Sequence, residues 1–158
     1  MLRTNPYDPA NPNAGMTLIV KTIVRFVGGM IVIFGIYLIL HGHLSPGGGF
    51  AGGVIVASAL VLHMLSYGKA VALKELSHSR ASFFESIGAL LFLILALIGF
   101  AGGYFFFNVL PKGEPFEIFS AGIIPLCNIA VGTKVTGALF AAFIVLVLLR
   151  LKVKKFKE

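Results

Sequence analysis

Few side chains in this sequence can do chemistry, and most of them lie inside apolar stretches. Lys134 and Glu85 are ionisable residues in otherwise apolar runs, and His63 lies in another run of this kind. Ionisable groups that a helix places in lipid are costly and commonly belong to proton or ion paths. The residue types therefore predict passage of protons or cations, with five candidates: Lys134, Glu85, His41, His43 and His63.

The histidines do not predict a metal or haem site. His41 and His43 are two residues apart in a loop and supply at most half of a metal site, so ordinary interfacial histidines are the favoured interpretation. A bis-histidine haem needs two histidines at equal depth, yet His63 is 13 residues past Phe50, about 20 Å deeper at 1.5 Å per residue. Cys127 is the single cysteine of the sequence and forms no CxxC pair. We expect no metal and no cofactor.

The apolar runs that carry these residues are membrane spans. The chain has 158 residues, 58% hydrophobic and 12% charged, whereas soluble domains are about 45–50% apolar and about 25% charged. A span needs about 20 apolar residues, and lipid leaves backbone groups no partners outside the span. The sequence predicts an all-α membrane protein with a transmembrane domain at 17–150 and four helices at about 17–40, 50–67, 83–107 and 123–149.

Positive charges predict the orientation of these helices. Eleven of the thirteen Lys and Arg residues lie on one side, in the N-terminal region, the loop between the second and third spans, and the C-terminal tail. Cytoplasmic loops carry such an excess, so both termini are predicted to be cytoplasmic, with an Asn/Pro-rich arm at 1–16 and a basic tail at 151–158. Basic residues that flank spans set topology and contact anionic lipid. They do not indicate a nucleic-acid partner.

The charges inside the spans each have two interpretations. Ser82 and Glu85 fit a capping box at the start of the third helix, and the alternative is a proton or cation role for Glu85. Lys134 lies sixteen residues before Arg150, about 24 Å from the inner edge of a roughly 30 Å core. It is either an ion-path residue, or a lysine that snorkels or pairs with a partner. Thr133 and Thr136 are polar neighbours that could solvate it.

His63 is similarly open to two interpretations, a packed polar residue or a relay residue, of which the first is favoured.

Glycines cluster after the first span, in the segment HGHLSPGGGFAGG at 41–53. A formal G-x-G-x-x-G match there lacks the strand that a dinucleotide site requires, whereas Ser45 as N-cap and Pro46 as first residue would start a helix. The pentapeptide GFAGG recurs at 99–103. We predict close packing of the second and third helices on each other or on a partner, through Gly47, Gly48, Gly49, Gly52, Gly53, Gly99, Gly102 and Gly103.

The segment GHLSPGGGFAGG at 42–53 resembles the B subunit of Mrp (Mnh) multisubunit Na⁺/H⁺ antiporters, in which G-H-x-x-P-G-G-G-F-x-G-G lies between the first two of four helices. The family includes the equivalent subunit in Mrp-like modules of archaeal membrane-bound hydrogenases and related complexes. Two departures favour that second branch. Asn128 stands where bacterial antiporter members tend to have Asp, and Lys134 stands where they tend to be apolar.

The resemblance implies a non-catalytic subunit of a Na⁺/H⁺-exchanging complex in the cell membrane. Its expected partners are other Mrp-type membrane subunits and lipid, with hydrogenase-like Fe–S subunits if the complex is redox-driven. Two alternatives remain: a purely structural subunit without a titrating role, and a haem or quinone anchor. The sequence contains no nucleophile–base set, acid pair or nucleotide loop, so it does not predict an enzyme.

Overall fold

The computed structural model describes residues 16–44, 46–68, 78–111, 113 and 120–155, without the side chains of residues 78 and 150–155. Within these ranges the chain forms helices and no strand: α1 (Leu18–Leu40), α2 (Gly48–Tyr67), α3 (His78–Ile98), a 3₁₀ helix (Gly99–Gly102) and α4 (Ile124–Lys155). All four α-helices are long and apolar enough to cross a membrane. The predicted all-α membrane fold with four spans is therefore confirmed.

Several predictions fall outside the described residues. These are the arm at 1–15, Ser45, Lys69 and Lys74 of the basic loop between the second and third spans, Lys112, which is one of the two basic residues outside the predicted cytoplasmic side, and the last three residues of the tail. The side of the membrane on which the termini lie remains a prediction.

The helices lie side by side in a row, in the order α1, α2, α4, α3. Helix α2 packs on both α1 and α4, α3 packs on α4, and α1 touches α4 over a smaller area. Because a row leaves both faces open, only 17–33% of the most apolar part of each span is buried inside the chain. Large apolar side chains such as Phe26, Ile33 and Leu146 are exposed. Lipid or neighbouring subunits must cover these faces in the membrane.

At one end of the four helices lie the start of α1, the end of α2, the start of α3 and the later part of α4. We call this the basic end, and the opposite end the glycine end. The backbone N–H of Met16 donates to the carbonyl of Ser66 across 2.8 Å. Five residues form a buried cluster at the same end: Met64, Ala81, Phe140, Ala141 and Ile144.

The third helix is displaced from its predicted range of 83–107. It begins at His78 and ends at Ile98, and the chain then tightens into the 3₁₀ helix, which is capped by Gly103 with φ of 100°. The N–H of Phe106 folds back to the carbonyl of Ala96 at 3.4 Å. Hydropathy continues through the phenylalanines, but the glycines break the helix, because a left-handed C′ position is a common helix stop.

Asn108 joins the end of this turn to the start of α4. Its Oδ1 accepts the N–H of Ile123 at 3.1 Å, and its Nδ2 donates to the carbonyl of Ala121 at 3.4 Å. Gly122, at φ of 63°, lies against the Asn108 side chain with no room for a Cβ. The Asn108 side chain thus fixes the position at which α4 begins.

Candidate functional site

Backbone-to-backbone contact characterises the interface between α2 and α4. A Cβ built at Gly49 would overlap the carbonyl of Asn128, and one built at Gly53 would lie 2.7 Å from the carbonyl oxygen of Gly132. Gly49 and Gly53 are four residues apart and therefore lie on one face of α2. Through Gly49 and Gly53, the first GFAGG segment thus packs on α4.

Asn128 lies at the centre of the glycine end. Its Oδ1 accepts the N–H of Gly49 at 3.4 Å, and a Cβ at Gly42 would lie 2.7 Å from its Nδ2. The Nδ2 atom is buried and has no hydrogen-bond acceptor among the described residues. The sequence marked Asn128 only as a departure from the family pattern, while the structure shows it holding the glycine-rich loop against α4.

Thr136 adds a polar link in the same interface. Its hydroxyl lies 2.8 Å from the carbonyl oxygen of Gly132 in its own helix and 3.1 Å from that of Gly53 in α2. The Thr133 hydroxyl donates to the carbonyl of Ile129 at 2.8 Å. Both hydroxyls are thus directed at backbone carbonyls, and neither solvates Lys134 as the sequence suggested.

Replacing Thr136 with valine is expected to lower the free energy of unfolding by about 0.6 kcal/mol, the average for an interhelical hydrogen bond in a membrane protein. The measurement is unfolding in detergent by a graded denaturant, with Thr133→Val as the matched control because its hydroxyl bonds only within α4. Equal losses for the two variants would show that the Thr136–Gly53 bond adds nothing.

Helices α1 and α2 meet through a second set of small residues. A Cβ at Gly52 would lie 2.7 Å from the carbonyl oxygen of Gly35, and one at Gly28 would lie 2.8 Å from the ring of His63. The His63 ring also stacks on Tyr67 with centroids 5.6 Å apart. His63 therefore packs between two helices near the basic end, and this contact supports the packed-residue interpretation.

The start of α2 differs from the predicted Ser45–Pro46 cap. The N-cap is Gly47, with φ of 109°, and Gly48 opens the helix at φ of 55°. Both conformations favour glycine because a Cβ is strained there. Pro46 lies in the preceding turn, so the prediction that it is the first helical residue is wrong, and the glycines at 47 and 48 take the cap and first positions.

The second GFAGG segment also differs from its prediction. Gly99 and Gly102 lie in the 3₁₀ helix, where an added Cβ would meet the backbone of Phe106 and Phe107 or the Phe107 ring. Gly103 has open space around it. These glycines let the chain fold back on itself, and their close contacts are with the phenylalanines that follow and not with α2. Packing of this segment on a partner stays a prediction.

The contact between α3 and α4 brings Lys134 and Glu85 to one interface. A Cβ at Gly88 would lie 2.6 Å from the backbone nitrogen of Lys134, and one at Gly137 would lie 2.7 Å from that of Glu85. Each charged residue therefore stands directly across from a glycine of the other helix. The Lys134 side chain is exposed and that of Glu85 half-buried, and neither has an ion pair or side-chain hydrogen bond within the described ranges.

The capping box at Ser82 is wrong. Helix α3 begins at His78, so Ser82 lies within the helix, and its carbonyl accepts the hydroxyl of Ser86 at 2.9 Å. Glu85 is thus in the third turn, beyond the free N–H groups that a cap would satisfy.

The remaining candidates lie elsewhere. His41 ends α1, with its Nδ1 3.1 Å from the carbonyl oxygen of Tyr37 and its ring stacked on the Tyr37 ring at 4.2 Å. His43 is two residues on in the same turn at the glycine end, whereas His63 lies near the basic end, at the opposite end of the helices. Within the part of the chain that the structure describes, no three His, Cys, Asp or Glu side chains form a group that could hold a metal ion.

A match to a known protein family identifies this arrangement of helices. Residues 19–141 match a domain described as related to the MnhB subunit of Na⁺/H⁺ antiporter. The chain belongs to the MnhB family. The match spans α1 to α3 and most of α4, including all of the glycine contacts between helices described above, and it confirms the resemblance that the glycine-rich loop indicated.

Individual relatives agree with the MnhB assignment. An uncharacterized protein of Methanocaldococcus jannaschii is 39% identical over 135 residues, 80% of this chain and 50% of its own length. The B subunit of a Na(+)/H(+) antiporter from Bacillus subtilis is 48% identical over 50 residues, 32% of this chain and 35% of that protein. The chain thus matches half or less of the length of these relatives.

A solved structure with the same fold comes from the membrane-bound sulfane sulfur reductase, described as an archaeal respiratory membrane complex. One of its chains matches with a TM-score of 0.68 and 29% identity, over 83% of this chain and 58% of that one. The MnhB fold therefore occurs in a respiratory assembly as well as among antiporter subunits.

Proposed function

We propose that this chain is a non-catalytic membrane subunit of an Mrp-type Na⁺/H⁺-exchanging complex, within a redox-driven respiratory assembly. Its main contribution is to hold neighbouring membrane subunits together. Family membership and the similarity to a chain of an archaeal respiratory complex support this proposal. Hydrogenase-like Fe–S subunits are the soluble partners that such an assembly would add.

The open row of helices is the observation that carries the proposal. A polar route across a bilayer needs neighbouring groups at successive depths. The candidate side chains are instead separated: the outer histidines follow α1, His63 lies between α1 and α2, and Lys134 and Glu85 lie between α3 and α4. Meanwhile both faces expose apolar side chains, as expected of a subunit that neighbours enclose. An ion path that involves this chain would therefore run along an outer surface, between subunits.

The α3–α4 interface is where such a path would touch the chain. Glu85 supplies the carboxylate there, and Lys134 lies about one turn away at the same interface. The two alternative functions make different predictions. A purely structural subunit needs no titrating group in the path, and a haem or quinone anchor predicts visible absorption or extractable quinone in the purified chain.

Glu85→Gln tests the ion-path part of the proposal. Gln keeps the size and removes the charge, so we expect an intact complex with Na⁺-dependent proton transport lowered roughly tenfold, equivalent to about 1.4 kcal/mol in an activation barrier. The measurement uses inverted membrane vesicles with a pH-sensitive dye, and Ser86→Ala is the neighbouring control. Unchanged transport in an intact complex would favour the purely structural alternative.

The proposal as a whole is tested by co-purification in mild detergent. Antiporter-type membrane subunits together with Fe–S subunits support the redox-driven complex, and antiporter-type subunits alone indicate a secondary antiporter. A chain that purifies without any of them would contradict the proposal.

A further inference from the structure

Lys134 presents an ammonium group on the outside of the row, in the middle of the α3–α4 pair. It lies ten residues into α4 and level with Gly88, which lies ten residues into α3. At 1.5 Å per residue, both positions are about 15 Å from the start of their helices. This is deeper than the count back from Arg150 indicated, because the 32 residues of α4 span about 48 Å and extend beyond a core of roughly 30 Å.

Snorkelling does not account for a lysine at this depth. Its four-carbon stem covers less than half of the roughly 15 Å to the start of α4 at the glycine end or to the start of α3 at the basic end. The side chain is exposed, and it has no ion pair or hydrogen bond within the described ranges. A charge exposed at this depth needs a counter-charge or polar group from another molecule.

Glu85 is close in the fold but poorly placed to be that partner. Side chains tilt toward the N-terminus of their own helix, and α3 and α4 are antiparallel neighbours. The Lys134 side chain therefore tilts toward the glycine end, while the Glu85 side chain tilts toward the basic end. Glu85 is also level with Gly137, one turn nearer the basic end than Lys134, so the two charged groups diverge.

We propose that the outer face beside Lys134 binds a transmembrane helix of a neighbouring subunit that carries an Asp or Glu level with Lys134. The inference rests on the proposed function, since it requires a multisubunit complex. Charge complementarity selects the acidic group, because an ammonium in lipid pairs most favourably with a carboxylate. Ala138 and Ala142 continue the Lys134 face at four-residue spacing, and such small residues let a second helix approach closely.

A carbodiimide cross-link tests the pairing in the intact complex. Membrane-soluble dicyclohexylcarbodiimide activates a carboxyl group, and a neighbouring lysine amine then displaces dicyclohexylurea to form an amide. No spacer is inserted, so only groups that already touch are joined. Mass spectrometry of the digested complex identifies both peptides, and Lys134→Ala is the control in which the product must vanish.

We expect an amide between Lys134 and an Asp or Glu in a membrane helix of another subunit. We also expect Lys134→Ala to lower the amount of that subunit recovered with this chain about tenfold, because its carboxylate is left unpaired. Lys134→Arg, which keeps the charge, and Leu139→Ala, on a different face of α4, should retain it.

Two results would overturn the inference: an amide between Lys134 and Glu85, or an intact complex in which Lys134 forms no amide. Both leave the proposed function standing. A chain that co-purifies with no other membrane protein of the complex would instead overturn the proposed function, and the inference with it.

Discussion

Replacing Gly49 with leucine is expected to prevent α2 from docking on α4 and to lower the free energy of unfolding by about 3 kcal/mol or more. Overpacking a close-packed site usually costs about 1–3 kcal/mol, and this position is at the upper end because all three nearest atoms belong to the backbone of Asn128. A backbone cannot rotate away as a side chain can. The substitution also disturbs the N–H that donates to Asn128 Oδ1.

Gly29→Leu is the matched control for this experiment. Gly29 is also a helical glycine in a predicted span, but a Cβ there has nothing within 4 Å. Both variants add the same side chain, so a difference between them reports the close contact and not the loss of glycine. Size-exclusion chromatography of the detergent-solubilised chain, followed by thermal unfolding, measures the effect. Equal behaviour of the two variants would show that α2 and α4 do not meet at Gly49.

The four spans were predictable because hydropathy is a local property of the sequence. Uninterrupted apolar residues place α1, α2 and α4 within two residues of their predicted starts, at Leu18, Gly48 and Ile124. The glycine-rich segment was equally visible, since small residues at four-residue spacing commonly mark close helix contacts. Its partners were not, because spacing within α2 does not say that Gly52 meets α1 while Gly49 and Gly53 meet α4.

The ends of α3 show what hydropathy misses. Residues 104–107 are aromatic and extend the apolar run, but α3 ends at Ile98 and the 3₁₀ helix that follows is capped by Gly103 in the left-handed conformation. At the other end, Ser82 and Glu85 satisfy a capping pattern that the structure does not use. Local patterns list the conformations that a segment can adopt, and tertiary packing of Ala81 and Gly88 on α4 selects among them.

The functional residues were the least predictable part. Lys134 and Glu85 were visible as charges in apolar runs, but their place on a single interface follows from Gly88 and Gly137, which the sequence did not single out. Because glycine has no side chain, the backbone of Lys134 can approach α3 at Gly88 and the backbone of Glu85 can approach α4 at Gly137. The pairing of a small residue with a charged one across two helices is a property of the packed structure, and a single sequence does not display it.

Gly88→Leu is expected to separate α3 from α4 while the other three helices stay together. A Cβ there would lie within 3 Å of the Lys134 nitrogen, the Ala130 carbonyl oxygen and the Lys134 Cα, so we expect a loss of about 3 kcal/mol in the docking of α3. Among the described helices α3 packs principally on α4, whereas α1, α2 and α4 contact one another. The damage should therefore be local.

Hydrogen–deuterium exchange of the detergent-solubilised chain measures this separation helix by helix, because local opening exposes the amides of the element that moves. Faster exchange is expected in peptides of α3 and in those of α4 around Lys134, with α1 and α2 unchanged. Ala89→Leu is the control, since Ala89 is the next residue of α3 and is exposed. Uniformly faster exchange in all four helices would show that the row unfolds as one unit, and that Lys134 and Glu85 do not lie on a separately docked helix pair.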